Sequence, residues 1–264
     1  MTGTTTDSAD IGRGELEPER VAVDVATVWT SPEAPRPVDA LAVADVPDVT
    51  GWVAAMDANA RLGLHGRTLT QVSAGEPVEV VEDRGDWVRV AARWQPMPED
   101  QRGYLGWVRR AHLRASTAAD LEAPAPNVPR NRVSIATYGS RFIGLRYLWG
   151  GASPAGLDCS GLVHVCYRSA GIVVPRDAYA QAAAATPIPL GEEEPGDLYF
   201  FARQDGRIFH VGFVTGPGQM LHAPEDASTG GNGTIEDAPL AEHRVATLVA
   251  AGRFHHLSAA RITA

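Results

Sequence analysis

The stretch Leu121–Pro129, LEAPAPNVP, separates two lengths of chain whose apolar residues follow different patterns, so no single layer of structure can hold both. Its prolines fix φ and remove backbone donors, which suits an extended linker better than a helix or a central strand. Before it, Val21-Ala22-Val23-Asp24-Val25, Pro77-Val78-Glu79-Val80-Val81 and Trp87-Val88-Arg89-Val90 alternate apolar and polar residues, the period of a half-buried strand. Turn signals lie between them at Ala74-Gly75-Glu76-Pro77, Arg84-Gly85-Asp86 and Pro96-Met97-Pro98. Short strands punctuated by turns predict a small barrel, interrupted by a short helix from Thr50 to Ala60. After the linker, Asn131–Phe142 and Cys159–Ala170 read as helices. Leu198-Tyr199-Phe200-Phe201, Val211-Gly212-Phe213-Val214 and Gln219-Met220-Leu221-His222 read as strands. Helices first and antiparallel strands afterwards make an α+β pattern. The expected division is a disordered start over 1–19, an all-β unit over 20–115, a linker over 116–130 and an α+β unit over 131–264.

Bulk properties narrow the function classes. At 264 residues, 44% hydrophobic and 21% charged, the chain reads as globular. It has no uninterrupted apolar run of about 18 residues, so no membrane span is expected. The first residues have neither a basic start nor an apolar core, so no secretory leader is read there and a cytoplasmic location is expected. The net charge is −9 and every basic side chain other than histidine is arginine. Such acidity argues against a nucleic-acid partner, which needs a basic stripe. Cys159 and Cys166 fall about 10.5 Å apart along one predicted helix. That exceeds a disulfide's reach, so both are expected as free thiols.

Cys159 enters its helix from the glycine-bearing loop Tyr147-Leu148-Trp149-Gly150-Gly151. Free N–H groups at a helix start favour a thiolate, lower its pKa and can hold an oxyanion. The competing reading is a small buried core residue, which most free cysteines are. A nucleophilic cysteine needs a base, and the base an orienting partner. His210 and His222 lie at the edges of two strands joined by Gly216-Pro217-Gly218, and a hairpin there brings them together. The competing reading is a pair of structural histidines. His164 and Cys166 share the helix of Cys159 with offsets unsuited to tetrahedral zinc, and no metal or organic cofactor is expected. His65, His112 and His243 are expected at the surface or in caps, and His255-His256 in a polar tail.

Taken together, Tyr147-x-Trp149-Gly150-Gly151, Asp158-Cys159-Ser160-Gly161, Val174-Pro175-Arg176-Asp177, Gly196-Asp197-Leu198, His210-Val211-Gly212 and His222-Ala223-Pro224 occur in that order. This set resembles the NlpC (p60) family of papain-like cysteine peptidases. The resemblance implies Cys159 as nucleophile, His210 as general base and His222 as its orienting group. It also implies a substrate-binding set of Tyr147, Trp149, Asp158, Ser160, Arg176 and Asp177. Ala26–Pro32, Gly85-Asp86-Trp87-Val88 and Gly103–Val108 resemble the bacterial SH3 module that precedes such a domain in γ-D-glutamyl-L-diamino acid endopeptidases. Tyr104 there matches a contributor to the pocket for a free L-Ala amine. The implied partner is a peptidoglycan-derived peptide (a muropeptide) and the implied role is peptidoglycan recycling.

Two positions depart from that pattern. Leu69 stands where an acidic residue is expected to hold the substrate amine, and Ala178 where a hydroxyl commonly follows Pro-Arg-Asp. Glu76 and Asp158 are the expected compensating carboxylates. The departures keep two other readings open: an amidase or transpeptidase acting on another γ-glutamyl or isopeptide compound, and a peptidoglycan-binding module without this activity.

Overall fold

The computed structural model describes residues 19–117, 120, 126–225 and 233–254. The start expected to be disordered lies outside them apart from Glu19, as do residues 121–125 of the linker and His255-His256.

The first unit is a seven-stranded antiparallel sheet, in the order β3-β2-β6-β5-β4-β1-β7. The strands are β1 (Glu19–Val21), β2 (Val25–Trp29), β3 (Thr68–Ser73), β4 (Pro77–Asp83), β5 (Trp87–Ala92), β6 (Tyr104–Arg109) and β7 (Leu113–Ala115). Period-two alternation points Val28, Val72, Val78, Val88, Val90 and Val108 into one core, where all six are fully buried. The strand expected over 21–25 is instead broken. Val21 and Asp24 spend their carbonyls on Gly75 and Ala74, so the chain turns between β1 and β2.

The helix expected over 50–60 is also two, α2 (Val49–Ala55) and α3 (Ala58–Leu62), after a short α1 (Ala40–Val43). Met56 is extended, and Asp57 starts a new helix by accepting from the Ala60 N–H at 2.8 Å. Trp52 of α2 anchors this insertion. Its ring packs 6.0 Å from that of Trp29, and its indole N–H donates to buried Asp39 at 2.9 Å.

The second unit begins with α4 (Arg132–Gly139), capped by Asn131, and contains α5 (Cys159–Ser169) and α6 (Ala178–Ala184). Its six-stranded antiparallel sheet runs β10-β15-β11-β12-β13-β14. These strands are β10 (Thr186–Ile188), β11 (Leu198–Ala202), β12 (Ile208–Gly216), β13 (Gln219–His222), β14 (Glu236–Pro239) and β15 (Leu248–Arg253). A small hairpin, β8 (Ala152–Ser153) with β9 (Gly156–Leu157), precedes α5. Strand β11 reads as continuous apolar sequence because both its faces are covered. Leu198 and Phe200 pack toward the helices, while Tyr199 and Phe201 join Val214 and Met220 on the other side.

The barrel is fastened to the second unit by polar contacts. Thr68 donates to the Trp149 carbonyl (3.1 Å), the Gln71 side-chain oxygen accepts from the Ala152 N–H (3.1 Å), and Arg168 pairs with buried Glu76. Arg176 donates to the Thr70 hydroxyl at 2.8 Å. Among the described residues no helix is long and apolar enough to cross a membrane.

Candidate active site

Helix α5 starts at Cys159 because Asp158 caps it, accepting from the Gly161 N–H at 2.6 Å. The same carboxylate accepts from the Gly150 N–H at 3.0 Å and is held by Arg176 at 2.7 and 2.9 Å. One side chain therefore ties the glycine loop to the helix start. A Cβ on Gly161 would lie 2.0 Å from the Gly151 carbonyl oxygen, so only glycine lets the first helical turn meet that loop.

Strands β12 and β13 bring His210 and His222 together, with Nε2 of the first 2.8 Å from Nδ1 of the second. Gly212 permits this approach, since a Cβ there would come within 2.9 Å of the His222 Cβ. His222 sits opposite Glu236 across β13 and β14, its Nε2 3.5 Å from the carboxylate. A carboxylate only accepts, so that arrangement puts the His222 proton on Nε2 and leaves Nδ1 to accept from His210. The lone pair of His210 is then on Nδ1.

Around Cys159 and His210 lies a cleft of about 540 Å³. Tyr104, Tyr147, Trp149, Asp158, Ser160 and Asp177 all line it, as do the departing positions Leu69 and Ala178. Tyr104 comes from the barrel and donates its hydroxyl to Asp177 at 2.9 Å. Two expected residues stand behind the wall. His222 backs His210, and Arg176, 1% exposed, is wholly spent on Asp158, Ser160, Gly151 and Thr70. Arg176 thus holds the wall in place and does not face a ligand.

Neither expected compensating carboxylate is free to take a substrate amine. Glu76 is committed to Arg168 and to the Ser73 N–H, away from the cleft, and Asp158 is saturated by Arg176 and two N–H groups. The cleft supplies others, Asp177 and Glu225.

Of the histidines expected at the surface or in caps, His65 is exposed as expected and His112 is not. His65 lines the cleft, stacked on Trp149 with ring centroids 3.8 Å apart and paired with Glu225. His112 is buried and bonded to the Ala44 carbonyl at 2.7 Å. Both placements depend on elements far away in sequence. The sequence reading also missed Arg244, 4% exposed, whose guanidinium lies 5.7 Å from the Phe201 ring and 5.9 Å from that of Phe209.

The electrostatics differ from the expectation of a depressed thiol. Burial, reinforced by the Asp158 carboxylate, pushes Cys159 up to about 12, against the opposing pull of the Val211 and Ser160 N–H groups and Arg176. Burial, with the positive field of Arg244 and the neighbouring His222, holds His210 well below the ordinary imidazole range. Burial and Arg244 likewise lower His222 to about 3. Cys159 therefore rests as a neutral thiol beside neutral imidazoles. Iodoacetamide reacts with the thiolate, so its rate at Cys159 will keep rising between pH 7 and 9.5, passing the ordinary thiol value of about 8.5 without a plateau. Levelling off near pH 8 would contradict the raised thiol. The folded state also holds a proton that the unfolded chain loses above about 8.5, so this group's stabilising contribution is full below that pH and is lost as pH rises toward the folded value.

Comparison with known proteins places this geometry. Residues 144–239 match the NlpC/P60 family and residues 63–114 match the bacterial SH3 domain. The gamma-D-glutamyl-L-lysine dipeptidyl-peptidase of Bacillus subtilis (strain 168) is 31% identical over an alignment covering 76% of this chain and 88% of that protein. The protein of the same name from Bacillus cereus (strain ATCC 10987) is 26% identical, covering 77% and 82%. A crystal structure of an NlpC/P60 family protein from Bacillus cereus ATCC 10987 superposes with a TM-score of 0.80 at 25% identity, covering 89% of this chain and 99% of that one. The protein is a cysteine peptidase with an SH3-like all-β unit ahead of its α+β unit. It belongs to the NlpC/P60 family.

Proposed function

We propose that this peptidase hydrolyses cell-wall-derived peptides at the bond between γ-D-glutamate and a diamino acid, releasing L-Ala-γ-D-Glu from peptides whose L-alanine amine is free. The observation that carries the reading is the Tyr104–Asp177 pair closing the barrel end of the cleft beside Cys159. A half-buried carboxylate there offers a free ammonium its counter-ion, and the barrel wall leaves little room for a chain continuing past it. The relatives named as gamma-D-glutamyl-L-lysine dipeptidyl-peptidases support the same bond class.

In this reading His210 takes the proton from Cys159 as the sulfur attacks the γ-glutamyl carbonyl carbon. The carbonyl π electrons pass to oxygen, and N–H groups at the α5 start together with Tyr147 stabilise that oxyanion. Collapse breaks the C–N bond, with His210 returning its proton to the leaving amine. Water, deprotonated by His210, then attacks the thioester and restores the thiol. His222 fixes the ring of His210 throughout. The units over 20–115 and 131–264 act as one enzyme joined by the linker, and a cytoplasmic location suits a substrate released by wall turnover.

The test is incubation with L-Ala-γ-D-Glu-diaminopimelate and with its N-acetylated form, using Cys159→Ala as control. Release of L-Ala-γ-D-Glu from the free-amine peptide alone is expected. Equal cleavage of both forms would remove the amine pocket from the reading, and no cleavage of either would remove the substrate class.

A further inference from the structure

The cleft is charged oppositely at its two ends. Its carboxylates Asp177 and Glu225 pair with Tyr104 and His65 of the barrel, while Asp158 is already spent on Arg176. Its guanidiniums all lie at the other end: Arg203 and Arg207 in the turn between β11 and β12, and Arg244 behind them in α7 (Glu242–Val245). The turn is closed by the Arg203 N–H donating to the Arg207 carbonyl at 2.9 Å. The Arg203 guanidinium sits 5.3 Å from the Phe209 ring centroid, and among the described residues no acidic side chain pairs with it. Among the described residues Arg207 is held by the exposed Asp205 alone, a contact easily exchanged for a ligand carboxylate. Arg244 shares the Phe209 ring and is near enough to Cys159 to feel its charge.

The direction of the reaction gives this end its meaning. His210, which returns the proton to the leaving amine, continues the run Arg207-Ile208-Phe209 along β12. The arginines therefore sit on the leaving side of the scissile bond, opposite Tyr104 and Asp177. An amino acid leaving through its amine carries a carboxyl on the neighbouring carbon, and a dicarboxylic diamino acid carries a second at its far end. Guanidinium recognises either one, and repels the bare ammonium at the end of a lysine side chain.

We infer that Arg203 and Arg207, backed by Arg244, form a carboxylate-binding subsite for the leaving residue, so that the cleft selects peptides with a carboxylate just beyond the scissile bond. The inference rests on the substrate reading above. It makes the enzyme a reader of both ends of a short peptide, ammonium at the barrel and carboxylate at the arginine turn.

The test uses four peptides, L-Ala-γ-D-Glu joined to lysine or to diaminopimelate, each with a free α-carboxylate or an α-carboxamide. Wild type and the double variant Arg203→Gln/Arg207→Gln, both exposed positions, are compared by kcat/KM. Wild type is expected to prefer carboxylate-bearing peptides by about tenfold, the scale of one charge-assisted contact. In the double variant this ratio is expected to shrink to about twofold or less. A preference following the α-carboxylate in both series assigns the subsite to that group. A preference for diaminopimelate over lysine that survives α-amidation assigns it to the second carboxylate. Equal turnover of all four by wild type, or a preference intact in the double variant, overturns the subsite while leaving the substrate reading standing. No turnover of any peptide overturns both.

Discussion

Cys159→Ala is expected to lose about 10⁴-fold or more of kcat while keeping nearly all of its stability. The two effects separate because the sulfur is one small atom at the floor of the cleft, 8% exposed, and its removal opens no cavity that the cleft does not already provide. The other cysteine, Cys166, is buried in the core on the same helix and cannot take its place. His210→Ala is expected to produce a loss of similar size. The double variant should lose little more than either single one, because thiol and imidazole act as one unit. Steady-state turnover with thermal unfolding of the same samples checks this. Residual activity within about 100-fold of wild type would mean that another group performs the attack.

The largest stability effect is expected at Arg176. This buried guanidinium satisfies both oxygens of Asp158, the Ser160 hydroxyl, the Gly151 carbonyl and the Thr70 hydroxyl. Arg176→Met fills much of the volume but leaves buried Asp158 with its N–H donors and no counter-charge. Breaking one side of such a pair costs about 3–5 kcal/mol. Urea unfolding of Arg176→Met should show that loss. Adding Asp158→Asn should recover part of it, because no unpaired charge then remains and the amide oxygen can still cap α5. A loss below about 1 kcal/mol would mean that the network contributes little to stability.

The sequence made some of this legible and concealed the rest for physical reasons. Alternation showed the valine-rich strands of the barrel because each has one buried face. The loop ahead of Cys159 could be read because glycine, cap and nucleophile are adjacent in the chain. Arg176 could be located from its motif, but not its role, since only burial shows that it is spent on neighbours. Helix position alone likewise predicts a lowered Cys159 pKa, and the opposing desolvation becomes visible only once the surrounding elements are placed. His65, Glu225 and Arg244 carried no local signal at all. His65 reaches the cleft by docking of the barrel, Arg244 from a short helix between two strands and Glu225 from the loop after β13, and no periodicity encodes that.

The bond from Arg176 to Thr70 ties the guanidinium that holds the cap of the nucleophile's helix to a strand made much earlier in synthesis. A growing chain completes its barrel first, and that barrel waits with one polar face unused. When α5 and the segment after it emerge, Arg176 acquires its full set of partners only by closing onto the waiting strand. The cleft is therefore among the last features of the molecule to take shape, and a ribosome-bound fragment holds the cysteine without the walls that aim it. A fragment lacking the barrel would leave Arg176 without Thr70 and the cleft without its Tyr104 wall.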